Sequence, residues 1–256
     1  MVDTSLHSGS THHLSACISQ RMMKRMKTWI GTSGFQYTEW KGSFYPEDLP
    51  ASKMLPYFAE RLTTTEINYT FHRIPSPKTI ENWKAQTPET FRFALKAPQK
   101  ITHWSKLRDC QDTLDYFCRV ISDLGERLGP ILFQLPPNFK KDANVLSAFL
   151  RELPTIRGAF EFRHSSWLDE EVFALLRERN IALCMADTEK LSTPTVATAD
   201  YGYLRLRRED YTTADVERWA EIVRQQSGQW SETFIYFKHE EAGIGPKLAG
   251  QMMALL

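Results

Sequence analysis

Nine polar or charged side chains close short apolar runs in this sequence: Glu66, Asn68, Lys96, Gln134, Glu161, Arg163, Arg205, Arg207 and Lys238. Five are cations and two are carboxylates. Unpaired buried charge costs several kcal/mol per ion, so an internal ion-pair layer would tend to balance its signs. The surplus points instead to a pocket for an anion such as a phosphate, a carboxylate or a nucleotide. Arg163, Arg205, Arg207 and Lys238 would clamp it, guanidinium being suited to planar bidentate contacts. Glu66 or Glu161 would act as base. His103 and His164, just past the third and fifth runs, would donate the proton, although a loop histidine equally often caps a helix or bonds backbone. Schiff-base chemistry is open to Lys96 or Lys238, with ion pairing as the ordinary alternative.

Other residues join this set less specifically. Ser33 lies in Gly31-Thr32-Ser33-Gly34-Phe35, where small residues allow a phosphate nest or simply a tight turn. Tyr37 and Trp40, with Phe44 and Tyr45, form an aromatic cluster that serves as a pocket wall, a base-stacking platform or loop packing. Asp187 ends the sixth run. Glu66, Glu161, Asp187, His103, His164 and His239 include metal-ligand types. No H-x-x-x-H spacing or its like is present, and neighbouring Lys96, Arg163 and Lys238 compete for the carboxylates. No metal site and no cofactor are therefore assigned.

These residues need a scaffold that gathers strand ends. Strand-like runs begin near residues 29, 64, 91, 130, 158, 181, 201 and 233, on average about 29 residues apart, which fits βα units with short connections. Helical periods lie between them. Ser76-Pro77 precedes Ile80 and Trp83; Asp142, Asp169 and Thr213 each precede apolar residues at helical spacing. An amphipathic stretch runs from about Asp109 to Leu128, and residues 246–256 read as a closing helix. Between Asp187 and Tyr201 no helical period exists and Pro194 interrupts. The expectation is an α/β fold, a single (β/α)8 TIM-type barrel with an irregular sixth βα unit, whose functional groups sit at the carboxyl rim.

Side-chain alternation then sorts each run into two faces. Ile67, Phe91, Phe93, Leu95, Phe160, Phe162, Leu204, Leu206, Ile235 and Phe237 fall on the helix side. Arg92, Ala94, Leu132, Ala159, Tyr203 and Tyr236 join the nine polar strand ends on the inner side. The sixth run is apolar throughout and its facing stays open.

Composition sets outer bounds. The 256 residues, 42% hydrophobic and 25% charged, suit one soluble domain of this architecture. A formal net charge of +1 gives nucleic acid no global support as a ligand. Cys17, Cys110, Cys118 and Cys184 form no regular framework, which fits a reducing, cytoplasmic setting. No run reaches the roughly 18 apolar residues of a membrane span. Residues 1–27, polar and then basic, read as a disordered or mis-started extension, with Met22, Met23 and Met26 as alternative starts and 28–256 as the domain.

Several motifs in order resemble the domain-of-unknown-function family number 72, also called YecE-like. They are Ile30-Gly31-Thr32-Ser33-Gly34-Phe35, Trp40, Phe44-Tyr45-Pro46, Thr65 to Phe71, Phe91 to Pro98 and Ile101-Thr102-His103, then Leu132 to Pro137, Glu161 to Trp167 and Ala186-Asp187. The resemblance implies a TIM-type barrel of broadly bacterial distribution with no established activity. It also implies departures. Many members carry His-Gly where this chain has Arg207-Arg208, and Asn-Asn where it has Lys238-His239.

The functional expectation is a hydrolase or lyase acting on a phosphorylated or otherwise anionic small molecule. One alternative is a nucleotide- or nucleic-acid-binding protein, with Tyr37, Trp40 and Trp104 stacking on bases. Another is a metal-dependent phosphodiesterase or endonuclease-like enzyme. Oligomeric state is not legible.

Overall fold

The computed structural model describes residues 26–256. Eight parallel strands close into one barrel in chain order: β1 (Lys27–Ser33), β2 (Thr64–Ile67), β3 (Arg92–Lys96), β4 (Leu128–Gln134), β5 (Gly158–Glu161), β6 (Ala182–Asp187), β7 (Tyr201–Leu206) and β8 (Glu232–Phe237). The outer helices are α1 (Met54–Ala59), α2 (Pro77–Ala85), α3 (Gln111–Ile121), α4 (Ala143–Glu152), α5 (Glu170–Glu178), α6 (Thr213–Gln225) and α7 (Ile244–Leu255). The expected extension lies outside the described residues up to position 25. Met26 and Lys27 belong to the barrel, because Met26 packs on the core and Lys27 donates its N–H to Ser231 O at 3.0 Å.

Helix starts follow local chemistry. The Ser76, Asp142 and Asp169 side chains accept the N–H of Thr79, Val145 and Val172, satisfying donors that the first turn leaves unpaired. At α6 the cap is Thr212, one residue earlier than expected, in a reciprocal box with Asp215. The stretch expected to be helical from Asp109 to Leu128 breaks at Gly125, whose φ is 56°. Pro130 lies inside β4. It has no N–H for the ladder, and the β3–β4 register shifts between Phe93 and Leu95, beside it.

The sixth unit is irregular, as expected. Residues 188–200 return to β7 without a helix. The Thr198 hydroxyl pins them by accepting from Leu183 N at 2.7 Å and donating to Ile181 O at 2.8 Å.

Two separate apolar clusters show the sorting by strand parity. Ile67, Phe93, Leu95, Phe160, Leu204, Leu206, Ile235 and Phe237 pack with the helices. Trp29, Ala94, Leu132, Ala159, Cys184, Tyr203, Phe234 and Tyr236 fill the barrel. Trp29 stacks on Phe234 at 6.1 Å and closes the amino end. Gly31 permits close approach of β1 to β2, since a Cβ there would lie 1.7 Å from Thr64 O. Charged side chains Lys27, Arg92, Arg157 and Glu232 ring Trp29 at the amino end, whereas the fully buried charges, Glu66, Glu161 and Arg205, gather at the carboxyl end. Among the described residues no helix is long and apolar enough to cross a membrane.

Candidate functional site

Three charged side chains form the floor of the carboxyl-end mouth. Arg205 from β7 lies between Glu66 from β2 and Glu161 from β5, and all three are at most 2% exposed. Its Nη2 donates to Glu66 Oε1 at 2.8 Å and its Nη1 donates to Glu161 Oε2. Neutral donors complete both carboxylates. Glu66 accepts from Tyr203 Oη at 2.6 Å and Ser33 Oγ at 2.7 Å, with Asn68 Nδ2 at 3.4 Å. Glu161 accepts from Gln134 Nε2 at 2.8 Å. Burial by itself would raise both carboxylate pKa values. Arg205, reinforced by these hydrogen bonds, wins and lowers Glu66 below its ordinary value, while Arg205 and Arg207 bring Glu161 down to about 2.

This geometry changes the roles expected of Glu66, Glu161 and Arg205. A carboxylate titrating near 2, with its oxygens occupied, is a poor proton acceptor at neutral pH. Arg205, enclosed by two carboxylates, is an internal counter-ion rather than a clamp for a ligand. Ser33, Asn68 and Gln134 likewise spend their polar atoms on the floor.

Above it stand Lys96, Arg163, Arg207 and Lys238. Arg207 Nη1 lies 3.5 Å and Arg163 Nε 3.9 Å from Glu161 Oε1, both beyond a good hydrogen bond. Lys238 Nζ is 3.7 Å from Glu240. Lys96 has no carboxylate within ion-pair distance among the described residues; its Nζ rests 3.9 Å from the centroid of the Phe71 ring. Burial, then Arg205, brings the Lys96 pKa down to about 8, and burial, then Arg207, lowers that of Lys238. A cavity of about 350 Å³ opens beside Glu161, Arg163, Arg207 and Lys190. A second, of about 510 Å³, runs past Arg207, Lys238 and His239. Both share Arg207 and Glu209, and Glu189, Asp210, Glu240 and Glu241 also line one or the other.

The remaining expected residues take other places. His103 Nδ1 is 2.9 Å from Thr102 Oγ1 and its ring meets Phe71 edge-on at 4.8 Å. Burial, then Lys96, lowers its pKa to about 4, so it is neutral at physiological pH and a poor proton donor. His164 caps a short 3-10 turn by accepting Ser166 N at 3.2 Å. Asp187 shares the parity of Leu183 and Met185 and faces the helices, where it accepts from Tyr211 Oη at 2.6 Å and Trp219 Nε1 at 3.1 Å. It does not line the mouth. Trp40 is fully buried, its Nε1 donating to Glu240 O at 2.9 Å, and Tyr37 packs on it at 4.7 Å while donating to Ser33 O. Neither ring is free to stack on a base.

Two features escaped the sequence reading. Phe71 supports both Lys96 and His103, although only an aromatic residue in a turn marks it. A π-helical turn, Lys100–Trp104, leads into left-handed backbone at Lys106, Leu107 and Asp109, with φ of 48°, 68° and 44°. Such strain in non-glycine residues concentrates near functional sites. Among the described residues no three His, Cys, Asp or Glu side chains group to hold a metal, and Arg205 already occupies the two innermost carboxylates.

Residues 29–256 match a family described as "Protein of unknown function DUF72". The chain belongs to the DUF72 family. It is 27% identical to the UPF0759 protein YecE of Escherichia coli over 224 residues, which covers 76% of this chain and 82% of that protein. It is 24% identical to the UPF0759 protein YunF of Bacillus subtilis over 258 residues, covering 84% and 90%. The crystal structure of a DUF72 protein from Thermotoga maritima superposes with a TM-score of 0.76 at 28% identity, covering 90% of this chain and 98% of that one. A DUF72 protein from Enterococcus faecalis, 18% identical with a TM-score of 0.75 over 90% and 95% of the two chains, shows the same fold. The ordered motifs therefore identified the DUF72 family and its barrel correctly.

Proposed function

We propose that the mouth of this DUF72 barrel binds a small anionic molecule, with a phosphate or carboxylate group held by Arg163, Arg207 and Lys238, and that the protein is a hydrolase or lyase acting on it. The carrying observation is that Arg205 takes the close contacts of both floor carboxylates, which leaves Arg207, Arg163 and Lys238 with longer ion pairs of 3.5, 3.9 and 3.7 Å and Lys96 with none among the described residues. An anion arriving there relieves repulsion that the folded protein otherwise retains. Proton transfer at neutral pH falls to Lys96, the rim group titrating near 8, rather than to Glu66 or Glu161.

The test is thermal stabilisation by inorganic phosphate, sulfate and phosphorylated metabolites. A ligand present at about tenfold its Kd adds about 1.4 kcal/mol, which in a domain of this size is a rise of roughly 3–6 °C. Arg163→Ala and Lys238→Ala should fold normally and lose most of that rise. If no such anion moves the wild-type melting temperature, the reading fails.

A nucleotide is the second reading, favoured by Trp104, which is 69% exposed beside His103 at the same rim. Adenosine monophosphate should then stabilise the protein more than inorganic phosphate, and Trp104→Ala should erase the difference.

A further inference from the structure

Lys96 is a half-buried charge with no ion-pair partner among the described residues. It sits at the last position of β3 on the inward parity, half-buried, at the end of the barrel where the chain gathers its functional groups. The ordinary use of an inward lysine is an ion pair, and the structure denies it one. Glu66 from β2 and Glu161 from β5 both face it, yet Arg205 holds them. Arg205 and Arg207 from β7 face it with like charge, and His103 from the following turn presents a neutral imidazole. Beneath the amine lies the hydrocarbon face of Phe71.

We propose that Lys96 is an amine nucleophile that condenses with the carbonyl carbon of an anionic aldehyde or ketone, such as a sugar phosphate or a 2-oxo acid, whose charged group lies on Arg163, Arg207 and Lys238. This rests on the anion-binding reading and names the substrate class for it. The nitrogen lone pair forms the C–N bond while the carbonyl π pair moves to oxygen. That oxygen takes one proton from solvent and one from the amine nitrogen and leaves as water. One amine, one carbonyl and one proton thus give one iminium and one water, with no oxidant or reductant. The iminium is an electron sink for breaking a bond next to it, which is lyase chemistry.

The surroundings favour both halves of the step. Attack needs the neutral amine. With a pKa of about 8 against an ordinary 10.5, Lys96 holds roughly 300-fold more of it at neutral pH than an unperturbed lysine. The product is a cation beside Arg205 and Arg207, so a substrate that brings an anion offsets the like charge. The pocket therefore selects carbonyl compounds that bring a negative charge.

Pyridoxal 5′-phosphate is the probe, carrying an aldehyde and a phosphate, with pyridoxal as the control lacking the phosphate. The full chain is incubated with one equivalent of either, reduced with borohydride, and mapped by peptide mass spectrometry. Lys96 should carry at least about tenfold more label at neutral pH than the exposed Lys53 or Lys140, as expected from its larger neutral fraction. Labelling should rise with pH through a midpoint near 8, and inorganic phosphate should compete. Lys96→Arg, which keeps the charge, should retain phosphate stabilisation and lose the label. If phosphate stabilises the protein but label distributes over surface lysines, the Lys96 inference is overturned and the anion site stands. If pyridoxal labels Lys96 as well as its phosphate does and phosphate does not compete, Lys96 is confirmed as the nucleophile and the anion site falls.

Discussion

Replacing Arg205 with methionine tests the floor of the site most directly. The guanidinium is 2% exposed and, among the described residues, is the only charge in direct hydrogen bond with Glu66. Deleting one member of a buried ion pair costs about 3–5 kcal/mol, because the partner is left charged and uncompensated. Here two carboxylates are stranded, though unequally. Glu161 keeps Arg207 at 3.5 Å and Arg163 at 3.9 Å, while Glu66 keeps only the neutral donors Tyr203, Ser33 and Asn68. Most of the loss therefore lies on Glu66, and the melting temperature should fall by roughly 6–20 °C. The pH dependence is the sharper readout. In the wild type both carboxylates titrate below the ordinary 4.5, so their stabilisation is present above that value and is lost as pH falls toward about 2. In Arg205→Met the Glu66 pKa should rise above 4.5, so stability is greatest below that value and fades as pH rises. Urea midpoints should accordingly diverge between about pH 4.5 and pH 7.5, and adding Glu66→Gln to Arg205→Met should recover much of the loss. Equal midpoints, or a gap that closes as pH rises, would refute the view of Arg205 as an internal counter-ion.

Two further outcomes separate floor from scaffold. Tyr203→Phe removes the 2.6 Å hydrogen bond to Glu66 and should cost about 1.5–3 kcal/mol in chemical denaturation, with a smaller loss in acid, where Glu66 is protonated. Asp187→Ala strands the Tyr211 hydroxyl and the Trp219 indole N–H and should cost about 1–3 kcal/mol. Stabilisation by phosphate should survive it, since Asp187 faces the helices; loss of that response at full folding would return Asp187 to the mouth.

Parity made most of this site readable from sequence. A strand repeats every two residues, so Phe160 and Phe162 on one side dictate Glu161 and Arg163 on the other, and the barrel separates those faces as expected. The facing of the sixth strand has no such signal, because Ile181 to Ala186 is apolar at every position. Only the fold shows Ala182, Cys184 and Ala186 pointing in and Asp187 pointing out. Residue type also cannot distinguish an aromatic platform from packing. Trp40 and Tyr37 resolved as packing because a carbonyl at Glu240 and another at Ser33 claim their polar atoms. The missed role of Arg205 has the same origin. A count of inward charges is legible, whereas which cation claims which carboxylate depends on side-chain geometry across three strands.

Arg207-Arg208 and Lys238-His239, where the family resemblance implies departures, form one structural unit. His239 Nε2 donates to the Arg208 carbonyl at 2.6 Å, and Lys238 N donates to Leu206 O at 3.0 Å, so the β7–β8 pairing continues past the strand ends. Arg208 is drawn away to Asp215 at the cap of α6. What this leaves facing the mouth is Arg207 and Lys238 side by side. Burial and then a neighbouring cation depress both of their pKa values, Arg205 acting on Arg207 and Arg207 on Lys238. Packing gains nothing from two like charges fixed together in partly dry surroundings, and their carboxylates, Glu161 at 3.5 Å from Arg207 and Glu240 at 3.7 Å from Lys238, leave both pKa values depressed. An anion between them would relieve that repulsion, which is what the proposed function requires. Two cations held side by side on adjacent strands by a backbone hydrogen bond support the proposed anion site better than the number of cations does.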